Sequence, residues 1–301
     1  MSERVDNTLS FRTVKKIINS ITTTEGEGFT VHRSFPNGLM SDLDPFLLLD
    51  EMGPMDLEPG EAKGAPDHPH RGFETITYML SGRFEHKDSQ GNWGKLNPGD
   101  VQWMTAGSGV IHSEMPEAEF IRQGGKLHGF QLWINLPKKD KMTKPNYQDI
   151  PSSKLPVVPL PGGQGSIKVI AGRFYETNSV IDTKTSIQYM HIILEPGARV
   201  DIPMDIKFNA FAYVVAGEGL FEEKEDSRAV RGQLVIFNGD GESVYVKASE
   251  FTPEPLQVLL IAGIPLNEPI ARYGPFVMNT KQEVYQAIED YRNGKLGILA
   301  H

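Results

Sequence analysis

The sequence predicts an all-β protein built as two successive barrels or sandwiches, closed by a short C-terminal helix. Three observations predict it. Short apolar, β-branched and aromatic runs alternate with turn signals, 30 glycines and 21 prolines punctuate a chain of 301 residues, and the second half repeats the rhythm of the first. No regular alternation of strands with long helical patterns suggests a parallel α/β fold.

In the first half, strands are expected near 29–33, 46–50, 74–80, 101–105 and 130–136. Between them lie Pro36-Asn37-Gly38, Ser81-Gly82, Gln90-Gly91-Asn92 and Asn97-Pro98-Gly99-Asp100, all turn-forming. Residues 137–166 carry six prolines and almost no periodic apolar pattern, which reads as a surface crossing between domains. Within it Lys138-Lys139-Asp140-Lys141 reads as a short solvated turn. The expected division is therefore 1–136, a linker 137–166, and 167–301.

Strands are expected again near 167–171, 187–194, 210–215, 234–238, 243–247 and 256–261. Tyr78-Met79-Leu80-Ser81-Gly82 and Tyr213-Val214-Val215-Ala216-Gly217 match in pattern 135 residues apart, and Pro98-Gly99-Asp100-Val101 has a looser echo in Arg231-Gly232-Gln233-Leu234. A weak repeat of this length predicts two β-domains of one fold. The chain ends in a helix with a Thr280/Glu283 capping box, Val284, Ala287, Ile288 and Tyr291 on one face, and Gly294 near its end.

The formal net charge is −9, with 39% hydrophobic and 23% charged residues. No basic cluster suits nucleic acid or an anionic membrane. No cysteine is present, so disulfides, thiolate catalysis and thiol redox sensing are excluded. The first twenty residues lack a signal-peptide core, and no apolar run is long enough for a membrane span. A soluble, intracellular protein is expected.

Two short stretches carry the chemistry: Asp67-His68-Pro69-His70-Arg71-Gly72-Phe73-Glu74, and Gly107-Ser108-Gly109-Val110-Ile111-His112-Ser113-Glu114. Three of the chain's eight histidines lie here. On a strand the i, i+2 spacing puts both side chains on one face. His68 with His70, and His112 with Glu114, are thus candidate ligands from two strands. Three imidazoles and a carboxylate suit one mid-row divalent metal with open positions. In the second half an ungapped match sets Pro203, Asp205, Asn209, Tyr245 and Lys247 against His68, His70, Glu74, His112 and Glu114, so that half is expected to be metal-free.

His-x-His, Glu74 and Gly82, followed by the Gly99 turn and His112, resemble the two-part motif of cupins. Asp44-Pro45-Phe46-Leu47-Leu48-Leu49-Asp50-Glu51, the first histidine stretch, Gln102-Trp103-Met104-Thr105-Ala106-Gly107, His112-Ser113-Glu114-Met115-Pro116 and the segment from His128 to Pro137 resemble the pirin family more specifically. Arg272-Tyr273-Gly274-Pro275-Phe276-Val277-Met278-Asn279-Thr280 extends the resemblance more loosely. It implies two tandem cupin barrels, a bicupin. Many cupins use the glutamate of the first motif, here Glu74, as a ligand, and strand parity does not decide between it and Glu114. The pirin resemblance favours Glu114 and leaves Glu74 to orient an imidazole N–H.

The resemblance further implies a dioxygenase acting on a flavonol such as quercetin, with Fe(II) ahead of Mn(II), Ni(II), Co(II) or Zn(II). Glu114 or Glu74 would be the base, and a small aromatic or enol substrate would meet dioxygen in a pocket drawn from Phe46, Phe73, Met104, His128, Gln131 and Trp133. The alternative implied by the same family is an iron-dependent, redox-sensitive coregulator that binds a protein partner, cytoplasmic or nuclear.

Overall fold

The computed structural model describes residues 10–26 and 28–299. Its strands fall into two units, each joining a seven-stranded antiparallel sheet to a four-stranded one. The site unit comprises Ser20–Leu155, Ile181–Thr185 and the chain from Leu266; the second unit takes the chain up to Asn19, Pro156–Val180 and Ser186–Pro265.

In the site unit the large sheet runs in the order Asn146–Ile150, Val101–Thr105, Phe73–Ser81, Gly125–Asn135, Phe46–Leu57, Phe29–Phe35, Ile21–Glu25. The small sheet runs Ala65–His70, Val110–Pro116, Phe84–Asp88, Trp93–Leu96. Apart from the first edge strand, the second unit has the same connectivity, with Asn209–Ala216 holding the third place that Phe73–Ser81 holds in the first. The 135-residue echo between Tyr78 and Tyr213 is thus a match between equivalent strands.

Their interiors differ. In the second unit Val169, Met190, Phe221, Phe237 and many other aliphatic side chains form one large buried apolar cluster. In the site unit Val31, Met52, Met79, Phe84, Leu96, Phe120 and Leu127 form a smaller cluster. That unit's remaining apolar core is divided among smaller clusters, such as Leu47, Phe73 and Val277 or Met104, Ala106 and Val110.

The expected boundaries move. Asn146–Ile150 pairs with Val101–Thr105, and Val157–Pro159 with Gly165–Ala171, so the Pro-rich stretch supplies edge strands to both units. Val14–Asn19, near the start of the chain, pairs with Gln233–Phe237 of the second unit. The terminal helix belongs to the site unit, where Val284 and Ala287 pack with Phe276, Met278 and Leu296. Edge strands need partners for their unpaired backbone groups, and distant segments supply them. Lys141, expected in solvent, is only 1% exposed and donates from Nζ to Gly72 O, Asn135 Oδ1 and Val277 O.

The helix Lys281–Arg292 has the anticipated capping box, with Asn293 at its C-cap and Gly294 following at φ +72°. Its buried face is Val284, Ala287 and Asp290, while Tyr291 is partly exposed. Asp290 is tolerated there because Arg71 Nη1 donates to it at 2.9 Å and Lys295 Nζ at 2.8 Å.

Candidate metal centre

Ala65–His70 is an edge strand of the small sheet, where Pro66 and Pro69 can lack an N–H without breaking a ladder. Its other edge pairs with Val110–Pro116, and His68 lies directly opposite His112. Side chains alternate along both strands, so His68, His70 and His112 converge. Their ring centroids stand 4.4 to 4.9 Å apart, and one ligand nitrogen from each lies within 4.8 Å of the others. His112 is fully buried and His70 nearly so. Among the described residues, this is the one group of three or more His, Asp or Glu side chains placed to hold a metal ion.

The imidazoles fit a metal on their own chemistry. Both nitrogens of His112 and Nδ1 of His70 are buried without a hydrogen-bond partner. Buried polar atoms are rarely left so. Burial first, and then repulsion from neighbouring imidazoles, holds His70 and His112 well below the ordinary histidine pKa. They are therefore neutral at physiological pH, the form that ligates. His68 Nδ1 donates to Pro66 O at 2.7 Å, which leaves Nε2 as its lone-pair nitrogen.

Glu114 follows His112 by two residues and is 7% exposed. Thr77 Oγ1 donates to its Oε1 and Gln131 Nε2 to its Oε2, both at 2.8 Å. Its oxygens stand outside the histidine cluster, though it lines the same cavity as His68 and His70. Thr77 and Gln131 belong to a polar row across the large sheet. Arg33 lies opposite Asp50, Asp50 opposite Gln131, Gln131 opposite Thr77, Thr77 opposite Gln102, and Gln102 opposite Asp149. Directly opposed residues share a face, so the row lies at one level of the barrel interior.

Glu74 falls elsewhere. The strand carrying His68 and His70 ends at Arg71-Gly72, and the next begins at Phe73. Gly72 has φ +89°, and a Cβ there would stand 1.9 Å from Val277 O, so only glycine fits this break. The phase of alternation restarts: Phe73 meets the His70 ring at 5.0 Å and Thr77 meets Glu114, which leaves Glu74 on the opposite face. Its Oε1 accepts from Thr105 Oγ1 at 2.6 Å, and Oε2 is buried without a partner. Burial raises its pKa to about 7, opposed by the Thr105 and Trp103 side chains. The expected bond from Glu74 to a ligand histidine is replaced by this contact.

The cluster opens into a cavity of about 840 Å³. Of the anticipated pocket residues, Gln131 and Trp133 line it. Phe46, Phe73 and Met104 are fully buried core; Phe73 backs Trp133 with ring centroids 4.5 Å apart. His128 Nε2 instead pairs with Glu51 Oε1 at 2.8 Å. Among the lining residues unforeseen in this role are Arg33, Leu47, Leu48, Asp50 and Thr77. An aspartate ending the apolar run Phe46–Leu49, and a threonine inside a buried strand, were the available signals. The hairpin of Ala271–Tyr273 and Phe276–Met278 adds Arg272, Tyr273, Gly274 and Pro275 to the wall.

In the second unit the matching ladder sets Asp201 opposite Tyr245, where the site unit sets His68 opposite His112. The ungapped match had placed Pro203 against His68, and the register moves it two residues along. No group able to hold a metal lies in that unit among the described residues.

One barrel bearing a histidine cluster and a second filled with apolar side chains define a bicupin with a single candidate metal centre. The chain belongs to the pirin family: its sequence matches the Pirin family over residues 28–134 and the Pirin C-terminal cupin domain over 189–297. It is 44% identical over 285 residues to a pirin-like protein of Solanum lycopersicum, covering 94% of this chain and 92% of that one. It is 40% identical over 275 residues to pirin of Homo sapiens, covering 91% and 90%. The crystal structure of quercetin 2,3-dioxygenase from Acinetobacter baumannii superposes with a TM-score of 0.89 at 35% identity, over 96% of this chain and 99% of that one.

Proposed function

We propose that this pirin is an Fe(II)-dependent dioxygenase that opens the heterocycle of a flavonol such as quercetin. The observation that carries the reading is the three-histidine cluster at the wall of a cavity large enough for a polycyclic aromatic ligand. The resemblance to the A. baumannii enzyme supports the reaction class.

His68, His70 and His112 would hold the metal, with Glu114 as fourth donor. A divalent iron there supplies Lewis acidity toward an ionised hydroxyl and redox capacity toward dioxygen. Glu114 takes the proton from the flavonol 3-hydroxyl. Thr77 and Gln131 hold its carboxylate in one orientation, each occupying one lone pair of one oxygen and leaving another free. Leu47, Leu48 and Trp133 provide apolar surface for a flat ring and exclude water from it.

The test is oxygen uptake with loss of the flavonol absorbance band, measured on iron-loaded protein in air. His112→Ala is the control. No uptake by the wild-type protein at full iron occupancy, across several flavonols and related enols, contradicts the reading.

A further inference from the structure

The cavity holds a second polar group that the metal chemistry does not use. Arg33 makes a two-pronged contact with Asp50, Nε to Oδ1 at 2.8 Å and Nη2 to Oδ2 at 2.6 Å, and Nη2 also reaches Glu25 Oε1 at 2.5 Å. All three residues line the cavity. The Arg33 and Asp50 side chains are only 16% and 5% exposed. Arg33 Nη1 makes no hydrogen bond to the protein among the described residues, and each Asp50 oxygen has spent one acceptor position on Arg33.

A half-buried guanidinium whose Nη1 has no protein partner, beside carboxylates with free lone pairs, offers a donor and an acceptor side by side to whatever occupies the cavity. One ligand group satisfies both halves: a hydroxyl accepts from Arg33 Nη1 and donates to Asp50. An ether accepts but donates nothing. A carboxylate meets two carboxylates against one guanidinium, and repulsion opposes it. The spacing suits the far end of a bound aromatic ligand. Arg33 lies two strands from Gln131, with Asp50 on the strand between, which sets about 10 Å between Arg33 and the residue that holds Glu114.

We infer that Arg33 and Asp50 form a hydroxyl-recognition subsite at the cavity end away from the histidines, so that the substrate is a neutral phenol with a hydroxyl at the ring remote from the metal. The inference rests on the proposed flavonol-type ligand for its geometry. It is read by binding, whereas that proposal is read by oxygen uptake.

Calorimetric titration of iron-loaded protein under nitrogen, with quercetin, its catechol dimethyl ether and a flavonol carrying a carboxylate in place of the catechol, tests it. Quercetin is expected to bind at least about tenfold more tightly than either analogue, because a site built around a hydroxyl rejects ligands lacking it. Arg33→Met should erase that preference. Asp50→Asn, which keeps the side-chain shape if Arg33→Met fails to fold, should also weaken it and should improve binding of the carboxylate ligand, a rescue that a merely structural role does not produce. Equal affinity for the three ligands, or a preference unchanged in the folded variants, overturns the inference. A preserved preference without oxygen uptake in air supports the subsite and contradicts the dioxygenase reading.

Discussion

Gln131 Nε2 donates to Glu114 Oε2 at 2.8 Å, tying the strand Gly125–Asn135 of the large sheet to the His112 strand of the small one. The contact closes the barrel interior beside the histidines. With Thr77 on the other oxygen, it defines where the Glu114 carboxylate points.

Replacing Gln131 with Met keeps the side-chain length and removes the donor. Metal affinity and turnover should fall by about 10–100-fold, the usual effect of removing a group that orients a ligand. The fold should persist, because the apolar cluster of this unit does not include Gln131. Competitive metal titration against a chelator, with thermal melting alongside, measures both. Unchanged affinity would remove Gln131 from the site's support.

Glu74→Gln should leave metal binding intact and stabilise the protein above neutral pH. The Glu74 carboxyl is raised from 4.5 to about 7, first by burial. Between those values the unfolded chain has released this proton while the folded protein retains it. Stability from this group is thus full below the lower value and is lost as pH rises toward the upper one. Glutamine removes the cost of burying the charge, worth up to about 3 kcal/mol at pH 8. Chemical unfolding at pH 5 and pH 8 checks this: the two proteins should diverge only at the higher pH. A loss of metal in Glu74→Gln would return the residue to the site.

Lys141→Met should destabilise the site unit. It leaves Gly72 O, Asn135 Oδ1 and Val277 O without this donor, at a cost of about 3 kcal/mol or more. Burial lowers the Lys141 pKa from 10.5 to about 8. Between those values the unfolded chain binds more protons, so the wild-type contribution of this residue makes stability rise with pH across that window. Urea unfolding of both proteins at pH 7 and pH 10 reads the difference. A variant as stable as wild type at both pH values contradicts the clamp.

The His68/His70 pair was legible because a strand has a period of two and the two residues lie close in sequence, and His112 stood out in a second strand pattern. Glu74 was not, because the Arg71-Gly72 break resets that period between His70 and Phe73, and the break depends on contact with Val277, far along the chain. The wall formed by Arg33, Asp50 and Gln131 comes from three strands brought into register by the sheet, and no local pattern announces which polar residues will face one another. The exchange of edge strands was hidden for the same reason. Val14–Asn19 finds its partner at Gln233–Phe237, while the terminal hairpin and helix join the site unit. The repeat was readable because Tyr78 and Tyr213 sit on central strands, whose apolar pattern burial imposes on both units.

Metal stoichiometry tests the central claim most directly. Elemental analysis of the full-length protein, purified without an affinity metal column and reloaded with Fe(II), should give about one ion per chain. His70→Ala and His112→Ala should each lose most of it while keeping the wild-type circular dichroism spectrum. An occupancy near two, or full occupancy in either folded variant, would contradict a single centre held by His68, His70 and His112.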